Sequence, residues 1–188
     1  MSKLSHPRPS AKHIPIHEEK ARRCVRWLNI SLGLGFIYAL ALVFTIALSL
    51  AMPDLKVPDF VQGVILLIWA IAKIGFAFSL VCLYQSTGYL KWAIAALLLA
   101  ASAIMPYILT NPESLVFVIG IEALAVTGLS LSLFDLGRAT RLDMGIPAGM
   151  IFLGVILQIL QDPLMSFVGI LFLAIGFYLS LKRLTRPA

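Results

Sequence analysis

IGFAFSLVCL (74–83), TGLSLSLFDL (127–136) and IGFYLSLKRL (175–184) repeat one phrase at three places in a chain of 188 residues. Aligned on Gly75, Gly128 and Gly176, each reads G-x-x-x-S-L-x-x-L. The serines are Ser79, Ser132 and Ser180, and the leucines Leu80 and Leu83, Leu133 and Leu136, Leu181 and Leu184. The copies recur at roughly fifty residues, which suits a unit of two helices with their turns. Each unit has a proline upstream (Pro58, Pro112, Pro163) and a glycine early in the following apolar stretch (Gly63, Gly120, Gly169). Glycine and serine four apart share one helix face, where small side chains let backbones approach closely. The pattern predicts three helical hairpins, each with one span going out and one coming back. The even helices are expected to meet along the Gly/Ser stripe, around a pseudo-threefold axis.

The composition surrounding the phrase says what medium these helices occupy. Sixty per cent of the residues are hydrophobic (60%), only 13% are charged, and mean hydropathy is +0.96. A water-soluble domain carries about a quarter charged residues. The runs 27–53 and 92–112 contain no Lys, Arg, Asp or Glu, and about 20 apolar residues cross a hydrocarbon core. The short alternating segments of a membrane barrel do not occur. The fold class is therefore all-α: a polytopic membrane bundle of six transmembrane helices. The spans are placed near 28–50, 60–84, 91–110, 114–134, 145–160 and 164–181, the fifth being the shortest. Pro147 falls in the first turn of the fifth, where a missing N–H does no harm. Pro106 falls late in the third and should kink or end it.

Three regions follow: a basic leader over 1–26, a transmembrane domain over 27–184 and a short tail over 185–188. The leader has Pro7, Pro9 and Pro15 and is expected to be mostly without order, with a helical turn from His17 onward. It is too long for the charged region of a secretory signal, and the apolar run after it is too long for a cleaved one, so the first span is expected to be retained.

Charge sets the orientation. With alternating spans, every Lys and Arg except Lys56 and Lys73 falls on one side: seven in the leader, then Lys91, Arg138 and Arg141 in the expected loop DLGRATRLD (135–143) between the fourth and fifth spans, and Lys182, Arg183 and Arg186. The opposite turns carry Asp54, Asp59, Glu113 and Asp162. Positive charge stays inside, so both termini are expected to be cytoplasmic, in the plasma (inner) membrane. Trp27, Tyr84, Tyr89 and Trp92 fall near the same inner boundary, where interfacial aromatics belong. The net charge of +6 then answers to anionic lipid and calls for no nucleic-acid partner. The lipid bilayer is the expected partner. A second copy of the chain or a membrane partner protein stays open.

Hairpins with both ends inside, proline in the outer turns and glycine early in each returning span resemble the HdeD-like acid-resistance membrane proteins. GIEALAVTGLSLSL (120–133) is similar to the glycine-rich returning helices of that family. The resemblance covers 27–184. It implies a small inner-membrane protein linked to acid or envelope stress, and it carries over no catalytic residue.

Two ionisable residues lie within spans: Lys73 in LIWAIAKIGF and Glu122 in VIGIEALAV. A charge at the bilayer centre costs about 2.5–3.5 kcal/mol even on the gentlest scale, so such residues turn inward and find partners. Relative to the repeat glycine, Glu122 lies one helical turn further out than Lys73, and a lysine reaches that far. A Lys73–Glu122 pair is expected. Its role is either architectural, fixing which helices touch, or that of a proton or ion relay in a small transporter or channel. Trp69 is the repeat-equivalent of Glu122 and lies one turn from Lys73, where it either caps the pair or simply fills space. Gln62, Gln158, Gln161, Asn111 and Asp162 gather near the outer ends, either as a vestibule or simply as helix ends.

Other chemistry is thin. His6, His13 and His17 are confined to the leader, and Pro15 interrupts the helix that would bring His13 and His17 to one metal. No histidine is available for haem ligation within a span, and no hydrolase, metalloprotease, P-loop or dinucleotide fingerprint is present. The chain is expected not to be an enzyme and to need no cofactor or metal. Cys24 and Cys82 both fall at the cytoplasmic boundary, where thiols stay reduced. They are expected as unmodified thiols rather than as a disulfide or a lipidation site.

Overall fold

The computed structural model describes residues 18–52, 57–109, 111, 114–140, 142–160 and 162–185, with side chains from Cys24 onward. The leader histidines, Pro112, Glu113, Arg141 and Gln161 lie outside the described residues, as do Asp54, Lys56 and Arg186. Six helices form among the described residues: α1 (Glu18–Ala51), α2 (Asp59–Thr87), α3 (Leu90–Ile108), α4 (Leu115–Thr140), α5 (Gly145–Ile159) and α6 (Pro163–Thr185). Five are long and apolar enough to cross a membrane; α5 is not. Its 15 residues reach about 22 Å at 1.5 Å each, against a hydrocarbon core of about 30 Å. Where six full spans are expected, the described residues form five helices of spanning length and one shorter one.

The helix ends follow local chemistry. Gly88 closes α2 with φ of 72°, a left-handed cap that glycine adopts without penalty. Its N–H donates to the Tyr84 carbonyl at 2.7 Å, and α3 begins two residues later. α3 ends at Ile108, just beyond Pro106. Pro163 opens α6 at the position where its missing N–H costs nothing, and Asp162 Oδ1 caps it by accepting the Met165 N–H at 2.9 Å. α4 runs on to Thr140, so most of DLGRATRLD is helical rather than loop. Leu136 and Gly137 are still buried there, and Lys91 pairs with Asp135 across to α3.

Each helix packs on its neighbours in sequence, and α6 packs back on α1, closing a ring. This corrects the expectation that α2, α4 and α6 meet along the Gly/Ser stripe. The glycines of the repeated phrase face the odd helix of their own hairpin instead. A Cβ on Gly75 would overlap Ser31 Oγ of α1, one on Gly128 would lie 3.4 Å from Ala95 of α3, and one on Gly176 would come within 2.7 Å of Ile151 of α5. The physical reason is proximity in the chain. Two antiparallel helices joined by a short turn are held side by side, and the small face of the returning helix is where they close. The tightest approach of backbone to backbone is in the third hairpin, where a Cβ on Gly154 or on Gly169 would stand 2.7 Å from the other residue's carbonyl oxygen.

In the first hairpin Cys24–Cys82, Ser31–Gly75 and Tyr38–Trp69 are successive rungs of one antiparallel ladder, about two turns apart. The first rung is covalent. Cys24 and Cys82 form a disulfide, with Cα atoms 5.6 Å apart, within the ordinary range for such bonds. The expectation of separate thiols is corrected, and with it the argument from a reducing compartment: Cys24 is 1% exposed, which shields the bond from the soluble reductants that keep open thiols reduced. Two cysteines near one membrane boundary say nothing of register, and only the register of α1 against α2 puts them opposite each other.

The ring is apolar outside as well as in. Phe44, Phe60, Phe78, Leu97, Val116 and Leu164 are exposed, on a scale a water-soluble monomer rarely tolerates and a lipid-facing surface requires. Polar groups lie inside, with Ser31, Lys73, Ser79, Ser102, Ser130, Ser132 and Ser180 all buried. Phe76 of α2 and Phe177 of α6 stack at 6.1 Å and are fully buried.

Candidate functional site

Lys73 and Trp69 lie one turn apart on α2 and so share a face. Both reach Glu122 on α4. Lys73 Nζ donates to Glu122 Oε2 at 2.7 Å, and Trp69 Nε1 donates to Glu122 Oε1 at 2.6 Å. Each carboxylate oxygen thus accepts one strong bond, and Trp69 caps the pair rather than simply filling space. The indole also stacks on Tyr38 of α1, with ring centroids 4.7 Å apart and planes 9° from parallel. The ammonium lies 5.5 Å from the indole centroid, a cation–π distance.

A third partner was missed by sequence reasoning. Lys73 Nζ also donates to the backbone carbonyl of Ser102 on α3, at 2.8 Å. Inside a helix that oxygen would accept the N–H four residues on, and here that residue is Pro106, which has none. The proline therefore strands a buried carbonyl and the lysine satisfies it. The signal was present in the sequence, as a proline four residues after a position facing the lysine, but its meaning needed the α2–α3 register.

The two charges are not equally accessible. The Lys73 side chain is 3% exposed and the Glu122 side chain 31%. Glu122 opens onto a cavity of about 530 Å³ to which all six helices contribute: Tyr38, Trp69, Tyr107, Glu122, Gln158 and Leu173 come from α1 to α6 in order. Both Lys73 and Glu122 are among its lining residues, and the glutamate presents the larger surface. The cavity extends toward the end of the bundle where α3 stops at Ile108 and α5 at Ile159. The shortness of these two helices, beside the longer α2 and α4, leaves the hollow.

The other candidates are dispersed. Ser79 bonds back to the Gly75 carbonyl within α2 at 3.1 Å, and Ser180 is buried without a hydrogen-bond partner. Ser130, at a variable position of the repeated phrase, donates across to the Ala148 carbonyl of α5 at 2.6 Å. Of the described outer polar residues only Gln158 lines the cavity, and Gln62 turns back to the Val57 carbonyl at 3.4 Å. The described residues contain no cluster of His, Cys, Asp and Glu that could hold a metal ion. No protein-family model matches the chain, and neither a curated protein nor a solved structure is significantly similar to it.

Proposed function

We propose that this chain is a small carrier of the plasma (inner) membrane, not an enzyme. Its central cavity takes up a small molecule with an apolar body and one polar group. The observation that supports the reading is the exposed face of Glu122 on the wall of a cavity of about 530 Å³. Ligand sites commonly measure about 300–1,000 Å³, apolar in the main with a few convergent polar groups. An architectural ion pair needs no such space, and filling it with Leu or Phe would be the more stable solution. The distribution of Lys and Arg supports an orientation with both termini cytoplasmic, so that the cavity opens toward the outer leaflet. The likeness to the HdeD-like proteins suggests a setting of acid or envelope stress, in which such a carrier would clear or admit a weakly polar solute.

The test is to fill the cavity. Ala70 lines it and is almost fully covered, and Ala70→Trp places an indole in the space. Wild type and variant are reconstituted in liposomes and compared for uptake of a panel of small aromatic amines, alcohols and acids. A carrier moves at least one of them faster than protein-free liposomes do, and the filled variant loses that flux while still assembling. Equal flux in the two proteins across the panel would refute the reading.

A further inference from the structure

We infer that the cavity selects organic cations: a protonated amine, or a comparable cationic centre, on an aromatic or alkyl body. The inference rests on the carrier reading and adds the charge of the solute.

The ion pair is neutral in sum but presents one sign to the cavity. Lys73 is sealed at 3% exposure, with two of its three N–H bonds taken by Glu122 Oε2 and the Ser102 carbonyl. Glu122 faces the space, and each of its oxygens has accepted a single bond. A carboxylate has about four acceptor positions, so both oxygens can take a further donor. A ligand carboxylate would meet this oxygen surface with like charge, while the Lys73 ammonium is already engaged by Glu122 Oε2 and the Ser102 carbonyl. A ligand ammonium would gain a charge-assisted hydrogen bond, roughly twice as strong as a neutral one. Among the described lining residues Lys73 and Glu122 are the only charged ones.

The walls match the same chemistry. Tyr38 and Tyr107 contribute aromatic rings, and Leu66, Val126 and Leu173 aliphatic surface. Cations bind to aromatic faces in desolvated sites, and the aliphatic wall accommodates the body. A ligand ammonium at Glu122 also competes with Lys73 for the carboxylate. Lys73 ties α2 to both α3 and α4, so loading the cavity loosens a bracket across three helices. That gives solute binding a physical route to a change in the bundle.

The experiment uses three probes with one skeleton: phenylbutylammonium, phenylbutanol and phenylbutyrate. Binding to the full chain in nanodiscs is measured by equilibrium dialysis, with empty nanodiscs as the blank. In wild type the ammonium binds about tenfold or more tightly than the alcohol, and phenylbutyrate binds weakest. In Lys73→Met/Glu122→Gln, which removes both charges and keeps a hydrogen-bonding side chain, ammonium and alcohol bind within about twofold of each other. The wild-type ranking requires no variant to fold, so it decides the matter alone if the double variant is lost. Ammonium and alcohol binding equally in wild type, with both lost in Ala70→Trp, would overturn cation selectivity and leave the carrier reading standing. Binding of none of the three above the blank, or binding indifferent to Ala70→Trp, would overturn both.

Discussion

The ammonium of Lys73 lies 2.8 Å from the carbonyl oxygen of Ser102, an oxygen deprived of its helical N–H by Pro106. The lysine therefore answers two deficits at once: a carboxylate on α4 and a stranded carbonyl on α3. If the contact carries energy, Pro106 and Lys73 are coupled though they belong to different helices. Pro106→Ala restores the N–H and should stabilise α3 by less than the ~3 kcal/mol of a mid-helix proline, because it lies near the helix end. The gain should be larger by about 0.5–2 kcal/mol in a Lys73→Met background, where the carbonyl has no other donor. A double-mutant cycle on detergent-induced unfolding reads this directly, and strict additivity would show that the contact is energetically idle.

Glu122→Leu leaves a buried ammonium with the Ser102 carbonyl as its remaining strong acceptor. Breaking a buried pair from one side costs about 3–5 kcal/mol, whereas replacing both members by apolar residues is often neutral. Lys73→Met/Glu122→Leu should thus unfold at a higher detergent fraction than Glu122→Leu alone. A double variant no more stable than the single one would mean that the pair does not hold the helices as described.

The glycines of the repeat differ in what a methyl group would meet. At Gly75 the obstacle is the Ser31 hydroxyl, while the Ser31 Cβ stands at 3.4 Å. Gly75→Ala should therefore be rescued by Ser31→Ala. At Gly154 the obstacle is the backbone oxygen of Gly169 at 2.7 Å, which no rotamer change can move. Gly154→Ala should cost about 1–3 kcal/mol, the usual range for overpacking, and no single substitution on α6 should restore it. Thermal unfolding of the four variants in one detergent checks both statements.

The Cys24–Cys82 bond joins the first turns of α1 to the last turns of α2, and Cys24 is 1% exposed. Protein purified without reductant and then denatured should take up no maleimide-linked polymer, and should take up two after reduction. Cys82→Ala should lower stability by no more than about 4 kcal/mol, the chain-entropy limit for a loop of this length. The loss should be smaller in practice, since helices already inserted in a bilayer have little chain entropy to release. Labelling of both thiols before reduction would remove the covalent rung.

Much of the helical framework could be read without coordinates. Apolar run length is a property of local sequence, so α2, α3, α5 and α6 begin and end within a few residues of expectation, and α4 begins so but runs on to Thr140. DLGRAT was misread because charged residues suggested a loop, whereas Asp135 has Lys91 as a partner on α3 and Arg138 lies over Phe134. Lys73 and Glu122 were legible as a pair because intramembrane charges are rare and because the repeat supplied a common scale of depth.

Hydropathy, charge and spacing settle what each segment is and how deep each residue lies, because those depend on a residue and its near neighbours along one helix. They do not settle which faces meet. That Gly75 would close on Ser31 rather than on another even helix, that Cys24 would stand opposite Cys82, and that α3 and α5 would leave a hollow beside Glu122 depend on all six helices at once. Register is a fit between surfaces, and a surface exists only once every neighbour has taken its place.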